Sequence, residues 1–181
     1  MVRVNTTDFV ALRNLLKEDF PGKEGELLAR LSPQMAEIYK KTSFKDWIQI
    51  PQVIDIYQQI VDLLFPGEQD GWQKLGSLIA RRSFSGAYRI FLGALSIDFV
   101  IKRAANIWNA YYDQGFVEVE NIRSRSCDFV LKEFPELPSQ MRHLITGHMT
   151  AILELTGAKN ITITLDESGA KDIKWFCRWG K

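Results

Sequence analysis

Between Phe116 and Arg178 the hydrophobic period changes from two to that of a helix and back again. Phe116–Ile122 and Ser126–Leu131 alternate apolar and polar residues, as do Ile161–Leu165 and Asp172–Arg178. The intervening Ser139–Thr156 instead repeats every three or four residues, through Met141, Leu144, Ile145, His148, Met149, Ile152 and Leu155. Alternation sends successive side chains to opposite faces of a strand, while the longer period gathers them on one helix face. The stretch is therefore expected to form a hairpin, a helix and a second hairpin. In that second hairpin Ile161, Ile163 and Leu165 share a face, opposite Ile173, Trp175, Cys177 and Trp179, with Gly169 in the turn. Such a face needs a cover, and the intervening helix is the natural one. Gly147 with Ala151 permits a neighbouring backbone to come close.

Upstream the chain reads as helices. Thr6 and Thr7 offer cap oxygens to a helix carrying Phe9, Leu12, Leu15 and Leu16, which Pro21-Gly22 ends. A second helix near Gly25 carries Leu27, Leu28 and Leu31. Ser32 then caps a third, with Pro33 at its first position. Ser43–Pro51 looks extended, and Pro51 opens a helix through Val53, Ile56, Tyr57, Ile60, Leu63 and Leu64. Another starts at Trp72 and is drawn through Gly86 towards Phe91. Asp98–Tyr112 is expected to turn Phe99, Ile101, Ala104, Ala105, Trp108 and Tyr112 inward, and Gly115 to turn that helix into a strand. The expected class is α+β: an N-terminal helical layer packed on an antiparallel sheet of two hairpins, with a β-β-α-β-β C-terminal module. Residues 1–181 are expected to be a single domain, mainly helical over 1–114 and sheet-bearing over 115–181.

Charge and cysteine content exclude several functions. The 23 basic and 22 acidic residues alternate closely, and the formal net charge of +1 argues against a nucleic-acid surface. Cys127 and Cys177, the two cysteines, have no metal-ligand spacing and fall beside large apolar neighbours, as buried reduced thiols do. No metal site is expected. With neither a signal-like N-terminus nor a bilayer-length apolar run, the expected location is cytoplasmic, without a membrane span. Phosphate loops, HExxH and GxSxG are missing, so no catalytic residue is assigned and the chain is read as non-enzymatic.

Several stretches together resemble a known superfamily. They are Trp47–Pro51, Leu75–Arg82, Ile107–Gly115, Gly147-His148 and Leu155–Asn160. In that order they look like a group of uncharacterised bacterial proteins akin to the haem-NO-binding and four-vinyl-reductase-like superfamily, whose trafficking relatives are subunits of the TRAPP tethering complex. The resemblance implies a helical layer on a four- or five-stranded antiparallel sheet, with small apolar molecules or haem held between the layers. It also implies that a homodimer can form and that an acyl chain can be held. The haem branch has an axial His in the helical layer and a Tyr-x-Ser-x-Arg motif. Here both histidines, His143 and His148, lie outside that half and the motif is missing. Sensing members carry a cysteine-rich metal site near the last hairpin, where this chain has only Cys177.

The candidate ligand-binding residues are Phe84, Tyr88, Phe91, Trp108, Tyr112, His148, Met149 and Ile152. Trp108, Tyr111, Tyr112 and Phe116 form an aromatic cluster at the helix–strand junction, and aromatic walls with few polar groups suit a small apolar ligand. His148 reads either as a ligand-facing group or as a core histidine bonded to backbone. His143 projects off the stripe towards solvent. Arg82 and Arg89 share a helix face and could take an anion, or lie on a solvated face. The functional expectation is a signalling domain that holds a small hydrophobic molecule between helices and sheet, with no obligatory cofactor and with haem or lipid as further occupants. The alternative is a module that dimerises or docks on a partner protein without ligand. A haem-based gas sensor is the third reading.

Overall fold

A computed structural model describes residues 2–43, 46–83, 96–168 and 171–180. The helical half contains α1 (Thr7–Asp19), α2 (Lys23–Arg30), α3 (Pro33–Lys41), α4 (Ile50–Leu64), α5 (Gly71–Ser83) and α6 (Ile97–Tyr111). Two short strands, β1 (Arg3–Asn5) and β2 (Trp47–Gln49), pair antiparallel within it. Then follow β3 (Phe116–Arg123), β4 (Ser126–Lys132), α7 (Ser139–Leu155), β5 (Lys159–Asp166) and β6 (Ile173–Gly180). Gly86 and Gly169 lie outside the described residues.

Local chemistry explains several boundaries. The Ser32 hydroxyl accepts the Met35 N–H at 3.3 Å, satisfying one of the donors that every helix start leaves open, with Pro33 in the first turn. At the first helix the expected cap fails. The Thr6 hydroxyl instead donates to the carbonyls of Ser43 (2.5 Å) and Asp46 (3.0 Å), fastening the chain before β2, while Asn5 Oδ1 accepts the Thr7 N–H at 2.9 Å. Gly115 follows α6 with φ +71°, and a Cβ there would stand 2.8 Å from that of Phe134. Both the backbone conformation and the space require glycine.

The two hairpins form one antiparallel sheet in the order β3-β4-β6-β5. Its central pair sets Cys127 opposite Cys177, Phe129 opposite Trp175 and Leu131 opposite Ile173. All six are buried, so alternation correctly marked the covered face. Helix α7 crosses α5 at two glycines. A Cβ on Gly76 would lie 2.1 Å from the Leu144 carbonyl oxygen, and one on Gly147 would lie 1.9 Å from that of Gln73. Ser77 Oγ donates to the Gly147 carbonyl at 3.0 Å in the same contact. The buried core runs unbroken from Phe9 and Leu12 through Ile79 and Trp108 to Trp175.

Three expectations need correction. Helix α7 is not covered along one stripe: Thr146, Gly147, Ala151 and Leu153 are buried while Leu155 is only partly so. The helix lies between α5 and the sheet, and on the sheet side Trp175 Nε1 donates to Thr146 Oγ1 at 3.0 Å. Helix α6 buries Ile101, Ala104 and Trp108 as expected, with Tyr112 buried just past its end, but Val100 is buried too, whereas Phe99 and Ala105 are exposed. Finally, β1 was not anticipated. Three residues are too short to show alternation, and its role is a long-range one. Val4 bridges to Tyr112, Arg3 donates to both carboxylate oxygens of Asp113 at 2.8 Å, and the Asp113 N–H returns to the Arg3 carbonyl.

Candidate functional site

Helices α5, α6 and α7 and the sheet do not close completely against one another. They leave a partly open cavity of roughly 130 Å3. Ala80 and Ser83 of α5 form one wall, and Val100, Ala104, Ile107, Trp108 and Tyr111 of α6 another, continued by Tyr112. Helix α7 contributes Ile145, His148, Met149, Ile152 and Leu153; the sheet contributes Val117, Phe129 and Trp175. Asp8 enters from the first turn of α1.

Trp108, Tyr112, His148, Met149 and Ile152 are thus brought together on one cavity. Phe84, Tyr88 and Phe91 lie outside the described residues. Trp108 and Tyr112 stack with ring centroids 4.1 Å apart at 14°, and Trp108 Nε1 donates to the Gln114 carbonyl at 3.0 Å, fixing the indole. Phe116 does not join the lining and is 37% exposed, since alternation points it away from Val117. The anion-binding idea loses its support. Arg81 pairs with Glu154 at 2.6 Å and Arg82 pairs with Glu18, while Arg89 lies outside the described residues.

The residue that sequence reasoning missed is Asp8. In sequence it looks like a helix-start carboxylate, favourable beside the open N–H groups of α1. Folding carries that turn beneath α7, where Asp8 Oδ2 stands 3.6 Å from His148 Nε2. The gap exceeds a hydrogen bond. Among the described residues His148 Nε2 is buried without a hydrogen-bond partner, as is Ser83 Oγ, so this nitrogen does not bond to backbone. Burial raises the Asp8 carboxyl above the ordinary value, opposed by the nearby imidazole. Burial likewise lowers His148, opposed by the Asp8 charge. The hydroxyls of Tyr57, Tyr111 and Tyr112 are all raised, first by burial and then by the Asp8 charge. His143 is half-buried, with Nδ1 3.4 Å from Gln73 Nε2.

The described residues do not fit haem. A cavity near 130 Å3 matches the engineered cavity of about 150 Å3 that takes benzene, while cofactor and drug-sized sites run to roughly 300–1,000 Å3. At the cavity edge His148 Nε2, an imidazole nitrogen of the kind that ligates iron, faces a carboxylate instead. Nor do the described residues contain a group of three or more His, Cys, Asp or Glu placed to hold a metal ion.

No family model matches the chain, and no curated protein matches it in sequence. Solved structures do match in three dimensions. A triple mutant of an H-NOX protein from S. oneidensis, in the Fe(II) ligation state, is 12% identical with a TM-score of 0.70, covering 98% of this chain and 96% of that one. The Fe(II) unliganded H-NOX protein from K. algicida is 14% identical with a TM-score of 0.68, covering 98% and 97%. An oxygen-binding H-NOX domain related to soluble guanylate cyclases, in its oxygen complex, is 11% identical with a TM-score of 0.64, covering 97% and 92%. Across nearly its whole length, the chain has the fold of the H-NOX proteins.

Proposed function

We propose that this chain is a non-enzymatic ligand-binding and signalling domain that holds a small hydrophobic molecule in the cavity between α6, α7 and the sheet. The observation that carries the reading is the cavity itself: an aromatic and aliphatic space of roughly 130 Å3 beside the continuous buried core. Folded interiors leave few voids larger than a water molecule, because each one forfeits packing contacts. Trp108, Tyr112, Met149 and Ile152 form its walls and His148 its polar edge. The neighbours of the same fold, named as Fe(II), NO-bound and oxygen-bound forms, support small-molecule binding by a chain of this fold.

Binding would act by population shift. A ligand that fits one packing of α6 against α7 favours that arrangement by its difference in affinity for the two. The test is native mass spectrometry of protein purified from cells, with thermal unfolding in benzene, toluene or indole. A ligand held at one hundred times its dissociation constant adds about 2.7 kcal/mol of stability. An apo mass together with an unmoved unfolding temperature for all three compounds would reject the reading and leave the ligand-free interaction module. A Soret band after haem reconstitution, lost in His148→Ala, would replace it with the haem sensor.

A further inference from the structure

The cavity is too polar at one corner to be a site for hydrocarbon alone. Nearly every buried polar atom in a native protein has a hydrogen-bond partner. Here His148 Nε2 and Ser83 Oγ, both on residues that line the cavity, have no hydrogen-bond partner among the described residues. Asp8 Oδ2 lies 3.6 Å from that nitrogen, too far to bond to it but within reach of one atom placed between them. Leaving the imidazole nitrogen unpaired is costly, so the corner formed by His148 Nε2 and Asp8 Oδ2 calls for a guest that bonds to both.

Resting on the reading given above, we propose that the site selects compact ring molecules bearing one hydroxyl, of the size of phenol, with the hydroxyl seated between Asp8 Oδ2 and His148 Nε2. A hydroxyl is the simplest group that both donates and accepts. It donates to the carboxylate and accepts from the Nε2–H of a neutral imidazole. A ligand carboxylate would meet the Asp8 charge at close range. A small ammonium would be drawn to the Asp8 charge but, having only donors, would leave the Nε2–H without an acceptor. The ring of the ligand lies among Val100, Ala104, Met149 and Ile152, in a volume that matches six carbons rather than an acyl chain.

Calorimetric titration of the full chain with benzene, phenol and benzylamine tests the assignment. Phenol is expected to bind at least about tenfold tighter than benzene, the worth of a hydrogen bond to a charged group. In Asp8→Asn and His148→Gln that preference falls to within about threefold while benzene affinity is retained. Far-UV circular dichroism checks that the variants fold, and the wild-type preference stands as a test even if they do not. Equal binding of benzene and phenol overturns the proposal, with a water completing the corner, and leaves the hydrophobic site intact. Benzylamine binding tighter than phenol overturns it in favour of a cation. Binding of none of the three removes the site together with the proposal.

Discussion

Gly147 lies so close to Gln73 that a Cβ on the glycine would be 1.9 Å from the glutamine carbonyl oxygen. Across the same crossing Gly76 meets the Leu144 carbonyl, so two backbones touch where side chains normally keep helices apart. Gly147→Ala and Gly76→Ala are each expected to destabilise the protein by about 1–3 kcal/mol, because helix backbone cannot yield as a flexible side chain does. Gly25 is the control. It lies in α2 with nothing near its added Cβ, so Gly25→Ala is expected to gain about 0.5–1 kcal/mol. Urea unfolding measures all three, and a neutral Gly147→Ala would disprove the close crossing.

The cavity makes a steric prediction of its own. Ala104 of α6 is buried and contributes a small wall, so Ala104→Leu projects added carbon into the space. The expected result is a loss of benzene affinity exceeding about tenfold in a protein that still unfolds cooperatively. Unchanged affinity, read by calorimetry, would place the ligand elsewhere.

Two ionisable groups at the cavity edge give the stability a defined dependence on pH. Asp8 is raised by burial, so its contribution is full below the unfolded carboxylate value and is lost as pH rises through the folded one. His148 is lowered by burial, so its contribution is full above the unfolded imidazole value and is lost as pH falls towards the folded one. Asp8→Asn is therefore expected to exceed wild type in stability near neutral pH, with the advantage shrinking on acidification. His148→Gln should instead gain on wild type as pH falls below about 6.5. Urea melts at three pH values give the signs, and an Asp8→Asn advantage that grows in acid would contradict the assigned burial.

Trp175 and Thr146 join the sheet to α7 by a buried hydrogen bond of 3.0 Å. Thr146→Val keeps the shape and orphans the indole N–H, at an expected cost of about 1–3 kcal/mol. Trp175→Phe, costly by itself, should cost less in the Thr146→Val background, because no donor is then left unpaired. Additive losses in that double-mutant cycle would show the bond to be energetically idle.

Cys127 and Cys177 face each other across the central strand pair, both fully buried and both free. The closeness of the two thiols lowers Cys127 and raises Cys177, whose own S–H donates to the Trp175 carbonyl at 3.8 Å. With neither sulfur reachable, a thiol reagent should label none of the native protein quickly and both cysteines once urea unfolds it. Rapid native labelling of either would mean that the sheet face is uncovered.

What the sequence made legible was whatever depends on short-range period. The strands from Phe116 to Gly180, the Ser32 cap and the buried cysteines all follow from neighbours within a few residues. The glycine crossing was legible in part, because Gly147 and Ala151 lie one turn apart and mark close approach without naming α5 as the partner. Asp8 was not legible, since a carboxylate in the first turn of a helix already has a sufficient local explanation. Its role depends on meeting a histidine far along the chain. One edge of the inward face of α6 was illegible for a related reason: Phe99 and Val100 are both apolar, and tertiary contacts decide between them.

Arg3 and Val4, tied to Asp113 and Tyr112, make the beginning of the chain a hinge plate for one side of the cavity. No loop separates the two ends of that linkage. The first strand is paired directly with the residue whose ring stacks on the Trp108 indole. A guest that displaced those rings would be expected to disturb that pairing, and amide exchange at Val4 would then read occupancy from outside the cavity.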